Sequence, residues 1–237
     1  FPTRRSSDLF MGRDKLFTLM KKQGLLMRKR RCKTITTWSG HPFYKYKNLI
    51  KDICLRLPEQ LWVSDITFLK TQNGFLYLSL ITDAYSKKIV GYDLADNLES
   101  VNALSALKMA LGSKKYIRQL IHHSDRGIQY CSLEYTRLLK EHGIKISMTE
   151  NGDPKENAIA ERVNGILKHE YLKFNQLTNL CKTRLSVQVA IQKYNEQRPH
   201  LSCDMKTPSL VHEKQLITKK LWKNYYPKKL NVNHYQD

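Results

Sequence analysis

The sequence predicts an α/β sandwich built on a mixed sheet, and three observations carry that prediction. Runs rich in β-branched and aromatic residues, bounded by turn residues, alternate with helically periodic segments in the order βββαβαβα. Three successive strands make a meander, and the alternation with helices that follows makes the sheet mixed. A chain of 237 residues, 41% hydrophobic and 26% charged, is long enough for one full core plus an appendage or two, which excludes a disulfide-stapled mini-protein.

The elements follow in order. Residues 13 to 23 place Leu16, Leu19 and Met20 at helical spacing, and Gly24 supplies a stop, as at the end of a small helical unit. A basic run, RKRRCK from Arg28 to Lys33, opens a poorly patterned connector containing Trp38, His41 and Tyr44 that reaches about Pro58. LWVSDITFL from Leu61 has strand composition, QNG at 72 to 74 is a hairpin turn signal, and FLYLSLIT at 75 to 82 is a second strand. KKIVGYDL at 87 to 94 reads as a third strand. Residues 99 to 111 are helical, with Gly112 as the expected stop, and IRQLIHH at 117 to 123 is a short strand. Ser132 caps a helix ending at Gly143, IKISMT at 144 to 149 is the fifth strand, and Asp153-Pro154 opens a long helix to about Phe174, with Asp as cap and Pro at the first helical position. The last twenty residues mix Lys with aromatics and read as a basic tail. No internal repeat is present.

Charge narrows the function. The 41 Lys and Arg exceed the 21 Asp and Glu by 20, an excess that predicts attraction to a polyanion, nucleic acid first and an anionic membrane surface second. No stretch approaches the roughly 18 apolar residues of a spanning helix, and the N-terminus lacks the apolar core of a signal peptide, so the expected location is the cytoplasm. The five cysteines are scattered without a C-x-x-C pair, which argues for reduced thiols rather than a zinc or redox motif. Residues 1 to 9, FPTRRSSDL, can be written by the genetic code as the run of a common sequencing adapter, and are expected to be translated adapter at the head of an N-terminally truncated chain.

Three carboxylates fall where chemistry on phosphodiesters would need them. Such chemistry uses hard cations held by oxygen ligands, to activate an attacking oxygen and neutralise a leaving one. Asp65 interrupts an otherwise apolar strand, where a lone charge is costly to bury; Asp125 follows a strand's carboxyl end, where α/β sites collect. Glu161 lies in the long helix, where 100° per residue puts Asn157, Glu161, Asn164 and Lys168 on one polar stripe, opposite Ile159, Val163, Ile166 and Leu167. Taken singly, each acid has an ordinary alternative: an edge-strand residue, a turn aspartate, a solvated helix face. The joint spacing overturns those readings, with 59 residues between Asp65 and Asp125, 35 between Asp125 and Glu161, and Lys168 seven after Glu161.

With these intervals the sequence resembles the DDE transposases of insertion sequences, in the retroviral-integrase superfamily, specifically the second-frame catalytic protein of such elements. WVSDIT (62 to 67), HSDRGIQY (123 to 130), ENAIAERVNGILKHE (156 to 170) and YNEQRPH (194 to 200) look like the family's blocks, and the likeness runs from about Met11 to Pro208. The resemblance implies an RNase H-like five-stranded mixed sheet flanked by helices. It also implies cleavage at transposon ends and strand transfer by a DNA 3′-hydroxyl, supported by two Mg²⁺ ions, with Mn²⁺ as substitute. Asp65 and Asp125 would share one ion and Glu161 would complete the second site. Lys168 would contact end DNA, with Asn157, Asn164 and Arg126 also facing DNA and Arg28, Lys29, Arg30 and Arg31 gripping phosphates.

His123, Ser124 and Arg126 flank Asp125 and could orient it, touch phosphate or serve only in packing and turns, whereas Arg198-Pro199 reads as structural, terminating the helix that carries Tyr194 and Asn195. The expected partners are double-stranded DNA at the element's ends and target, further copies of the chain on that DNA, and an upstream-frame DNA-binding protein, in a bacterial, nucleoid-associated setting with no membrane role. The implied organisation is an artefactual 1–9, a remnant helical DNA-binding region and basic linker over 10–57, a catalytic core over 58–212 and a basic tail over 213–237. The competing functions are an RNase H-like nuclease without strand transfer and an inactive DNA-binding protein; the 35-residue interval disfavours the first. Converging acids disfavour the second, since acids repel phosphate unless metals intervene.

Overall fold

In a computed structural model of the chain, residues 12–26, 40–51, 53–72, 74–150, 157–173 and 177–218 are described. The chain divides into two compact units, Phe1–Thr36 and Thr37–Asp237. The first contains helix α1 (Arg13–Lys22), whose end satisfies a carbonyl of its last turn through Leu25 N donating to Met20 O at 2.9 Å. The basic run Arg28–Arg31, the proposed Asp153-Pro154 cap, Trp38, the adapter-like residues and most of the tail lie outside the described residues.

The second unit is built on a five-stranded sheet in the order β3-β2-β1-β4-β5. Strands β1 (Leu61–Thr71), β2 (Gly74–Asp83) and β3 (Ile89–Ala95) form the antiparallel meander, and β4 (Ile121–Ser124) and β5 (Lys145–Met148) add in parallel beside β1. The first hairpin pairs Thr71 with Gly74, which fits the tight turn that the sequence signals at 72 to 74.

Period-two alternation on β1 separates two cores. Trp62 points into a cluster with Leu107, Tyr135 and Leu139 from helices α2 (Ser100–Ser113) and α4 (Leu133–Glu141). On the other face, Leu78 and Leu80 pack against Val163, Ile166, Val187, Ile191 and Tyr194 from α5 (Ala158–Ile166) and α6 (Leu180–Glu196). A short α3 (Ile128–Cys131) links β4 to α4, and α7 (Pro208–Lys214), capped by Thr207 and started by Pro208, closes the described chain.

Several boundaries differ from expectation for identifiable reasons. Gly112 does not stop α2, which continues to Ser113, whose hydroxyl donates to the carbonyls of Ala110 and Val90 and so ties the helix end to β3. Close packing there is set by Gly91, where a Cβ would sit 2.2 Å from Ala106 O and 2.9 Å from Ala110 Cβ. Residues 117 to 120 precede β4 without joining it, and Ile117 is fully exposed. Ser132 occupies the cap position of α4, but its hydroxyl donates to Gln129 O. Gly143, at φ 64°, ends that helix as anticipated.

The long helix begins at Ala158, with Asn157 at its cap position, and is α-helical only to Ile166; Leu167–Leu172 form a wider π-helical turn. Arg198 pins that turn with a two-pronged ion pair to Glu170, at 2.8 and 2.9 Å, which fits the structural role read for Arg198-Pro199.

A candidate active site at three element ends

Asp65 stands near the middle of β1, on the face turned toward α5, where Asn164 Nδ2 donates to its Oδ2 at 2.7 Å. Asp125 is the first residue after β4, beside β1, and its Oδ1 accepts from Gly127 N at 2.9 Å, a short turn that fixes the carboxylate's direction. Glu161 is exposed in the first turn of α5. The three acids therefore reach the site from a central strand, the end of its parallel neighbour and the helix packed across them.

Their mutual influence is visible at Asp65. Burial, then the negative charge of Asp125, then that of Glu161, raise its pKa to about 7 against the pull of the Asn164 hydrogen bond. Among the described residues, no three His, Cys, Asp or Glu side chains are drawn together closely enough to hold one metal ion. The donor set itself suits a hard divalent cation: carboxylate oxygens on separate elements, carrying negative charge that nothing in the Asp65 hydrogen bonding fully offsets.

The polar stripe on α5 does something different from what its sequence suggests. Asn157 and Asn164 are 7% and 5% exposed, so neither faces DNA. Asn157 Nδ2 donates to Ser64 O at 3.0 Å and Asn164 to Asp65, so both amides fasten the helix to β1 and hold Glu161 opposite Asp65. Two buried polar groups on a helix face usually imply partners across the interface, and here the partners are on the strand that bears Asp65. Lys168 lies in the π-helical turn and is half-buried, beyond the point where regular α-helical spacing describes its direction.

His123 and Ser124 are also fully buried, which removes them from phosphate contact. His123 Nδ1 is 2.9 Å from Ser147 Oγ on β5, and Ser124 Oγ donates to Asp125 O at 3.0 Å. Both brace the strand end from which Asp125 projects. Arg126 is half-buried, and its carbonyl lies 2.8 Å from His41 Nε2.

Behind the acids lies a buried group that sequence reasoning missed. His122 Nε2 is 2.7 Å from Ser64 Oγ and 2.9 Å from Tyr135 Oη, and burial, reinforced by His123, lowers the imidazole pKa to about 3, so it is neutral. Ser64 immediately precedes Asp65 and His122 lies three residues before Asp125, so this contact ties β1 to β4 behind the two acids. Tyr130 packs edge-on against Tyr135, and burial together with the charges of Tyr135, Asp125 and Asp65 raises its hydroxyl pKa well above the usual value. The period-two pattern of β1 could have signalled Ser64 as inward-facing, but nothing in sequence ties it to positions 122 and 135.

Comparisons with known proteins bear on the family and the fold. Two family models, both described as integrase core domain, match residues 56–154 and 142–208. An uncharacterized 31 kDa protein of insertion element IS600 from Shigella sonnei is 35% identical over 87% of this chain and 76% of its own length. The transposase InsF of insertion sequence IS3A from Escherichia coli is 32% identical over 83% of this chain and 69% of its own. The transposase for IS629 from Shigella sonnei is 37% identical over 60% of this chain and 47% of its own.

Among solved structures, the integrase catalytic core of HTLV-2 in complex with magnesium superposes with a TM-score of 0.53 at 22% identity, covering 66% of this chain and 97% of that one. The simian T-cell lymphotropic virus intasome gives 0.58 at 22% identity, covering 80% of this chain and 65% of that one. These likenesses fix the fold as RNase H-like. Among the described residues, no helix is long and apolar enough to cross a membrane. The sheet, the matched integrase core and the identity to insertion-element proteins over most of their length together place the chain in the insertion-sequence transposases of the integrase superfamily.

Proposed function

We propose that Asp65, Asp125 and Glu161 form the catalytic centre, holding two divalent cations and catalysing DNA end cleavage and strand transfer. The observation that carries this reading is that Asp65 on β1, in a chain of net charge +20, feels the negative charges of Asp125 just after β4 and of Glu161 on α5, which together with burial raise its pKa to about 7. The magnesium bound to the HTLV-2 integrase core, a protein of the same fold, supports the choice of metal. Mg²⁺ or Mn²⁺, when bound, would lower the pKa of an attacking water or DNA 3′-hydroxyl and offset charge on the leaving oxygen.

The residues divide that work. Asp65 and Asp125 would hold one ion and Glu161 would complete the second site. Asn164 orients the Asp65 carboxylate, the Gly127 backbone orients Asp125, and Asn157 seats the helix that carries Glu161. Lys168 contacts the end DNA near Glu161, Arg126 borders the path of the scissile strand, and Arg28, Lys29, Arg30 and Arg31 hold phosphates without regard to sequence. Synapsis of two ends takes at least two copies of the chain.

A plasmid-joining assay tests the reading. A duplex bearing a recessed 3′-hydroxyl from the element's inverted repeat should be joined covalently to supercoiled plasmid in Mg²⁺ or Mn²⁺, and not when both are chelated. Nicked plasmid without joined product would reduce the protein to a nuclease, and joining in the presence of chelator would remove the metal from the mechanism.

A further inference from the structure

Among the described residues of the connector ahead of β1, none lies in a helix or strand, yet residues 41–49 are fastened to the site's edge. His41 Nε2 sits 2.8 Å from Arg126 O, next to Asp125. Asn48 N donates to Glu150 Oε1 at 3.1 Å, Leu49 N to Ser147 Oγ at 2.9 Å, and Met148 N to Lys47 O at 3.4 Å, so the segment runs beside β5. Phe43 and Tyr46 pack against the core, which turns the residues between and after them outward.

Those outward residues are Tyr44, Lys45 and Lys47, all exposed, with Tyr44 at 72%. An aromatic ring that exposed gains nothing from the fold it belongs to, but it is not loose. It meets Tyr46 edge-to-face at 4.9 Å and 82°, and Lys140 Nζ stands 5.7 Å from the Tyr46 ring, so the pair of rings is propped from beneath. Lys45 lies four residues beyond His41, which is held against the carbonyl of the residue after Asp125, and the charges of Lys45, Arg126 and Asp125 all bear on Cys131.

An exposed ring followed by two cations on a pinned segment has the chemistry of a single-strand platform: bases stack on the ring and phosphates meet the ammonium groups. A paired base inside a duplex cannot offer its face, whereas an unpaired terminal base can. We infer that residues 41–51 form a binding edge for the unpaired terminal nucleotides of a DNA end, with Tyr44 stacking on a base and Lys45 and Lys47 on its phosphates. This rests on the transferase reading, because it places the frayed end beside the carboxylates that would act on it.

The test reads binding without chemistry, in EDTA, by fluorescence anisotropy. Labelled duplexes that are blunt or carry three unpaired terminal nucleotides are titrated with the wild type and with Tyr44→Ala, Tyr44→Phe and a Lys45→Gln/Lys47→Gln double variant. The wild type should prefer the overhang by about tenfold, the scale of one stacked base. Tyr44→Ala should lose that preference while holding blunt-duplex affinity within about twofold, and Tyr44→Phe should keep it. The lysine variant should weaken binding to both duplexes and flatten their salt dependence by about one to two in log-log slope.

An overhang preference that survives Tyr44→Ala, or none in the wild type, overturns the inference. Because Tyr44 is exposed, melting temperatures matching the wild type will establish that Tyr44→Ala is folded. The plasmid-joining assay separates the two readings: a wild type that joins DNA without a Tyr44-dependent preference sinks only this edge. One that shows the preference but never joins upholds the edge and sinks the transferase.

Discussion

Asp65 is asked to be a carboxylate at the place where the fold least favours one. Its pKa lies near 7 because burial and the charges of Asp125 and Glu161 all oppose ionisation. The native state therefore holds the Asp65 proton more tightly than the unfolded chain, whose aspartates ionise near 4. Without divalent cation, stability should fall as pH rises from about 4 to about 7 and level off above that. Asp65→Asn removes the penalty while leaving an amide oxygen to accept from Asn164. Its melting temperature at pH 8 in EDTA should exceed the wild type's by about 2–4 °C, the scale of ~1 kcal/mol in a domain of this size, and the gap should close at pH 4. In Mg²⁺ the gap should shrink, since only the wild type gains a bound cation. A melting temperature for Asp65→Asn that does not rise in EDTA at pH 8 would show that Asp65 carries no such strain.

At the scale of elements, two junctions hold the site's frame, and neither announces itself in the sequence. The first is the contact of α2 with β3, where Gly91 leaves room for the Ala106 and Ala110 backbone. Gly91→Ala should destabilise the protein by about 3 kcal/mol, measurable as a lowered urea midpoint, because backbone rather than a flexible side chain would have to move. The second junction is a buried cluster that docks α7 on the sheet. Asp83 accepts from Glu59 N, Ser86 N and Ser86 Oγ at 2.7 Å each, and Glu59 accepts from the backbone of Lys115 and Tyr116. His212 Nε2 lies 3.4 Å from Glu59, its Nδ1 is 3.0 Å from Ser86 Oγ, and all four residues are buried.

Burial pulls the His212 pKa down, but Asp83 and Glu59 outweigh it and leave it raised. A raised histidine pKa stabilises the fold fully below about 6.5, and that contribution is lost as pH climbs through the folded value. His212→Ala, which strands two buried carboxylates, should therefore lower stability by about 3 kcal/mol at pH 6 and by less at pH 8.5. A deficit equal at both pH values would show that His212 acts through packing alone.

The meander, both parallel strands and the separate α5 were legible because period and turn residues are local signals. The intervals of the three acids are likewise a property of the sequence alone, whereas their placement on β1, just after β4 and in the first turn of α5 needed the fold. The burial of Asn157 and Asn164 was not legible, since a polar helix stripe reads the same whether it meets water or a strand's carbonyls. The π-helical turn at Leu167–Leu172 was equally hidden, and with it the direction of Lys168. The clusters of His122 with Ser64 and Tyr135, and of His212 with Glu59 and Asp83, join residues as many as 153 positions apart, which only the folded sheet brings together.

For the molecule as a whole, a net charge of +20 accompanies the candidate acidic site, so binding and chemistry should be separable. Duplex affinity should fall with salt at a log-log slope of about −0.9 per phosphate neutralised, and neutralising Arg28, Lys29, Arg30 and Arg31 together should flatten that slope by about 3 to 4 for every sequence alike. Lys168→Ala should instead impair cleavage of the element's own ends more than bulk affinity, as read by titrating end and random duplexes at two salt concentrations. Equal losses on both duplexes would make Lys168 one more phosphate contact. The central claim, that three carboxylates from three elements act as one metal-dependent centre, is met most directly by plasmid joining in Mg²⁺ with Asp65→Asn, Asp125→Asn and Glu161→Gln, scored beside duplex binding on the same preparations. Each single change should abolish joining while leaving duplex affinity near that of the wild type; near-normal joining by any one of them would remove that residue from the site and contradict the account.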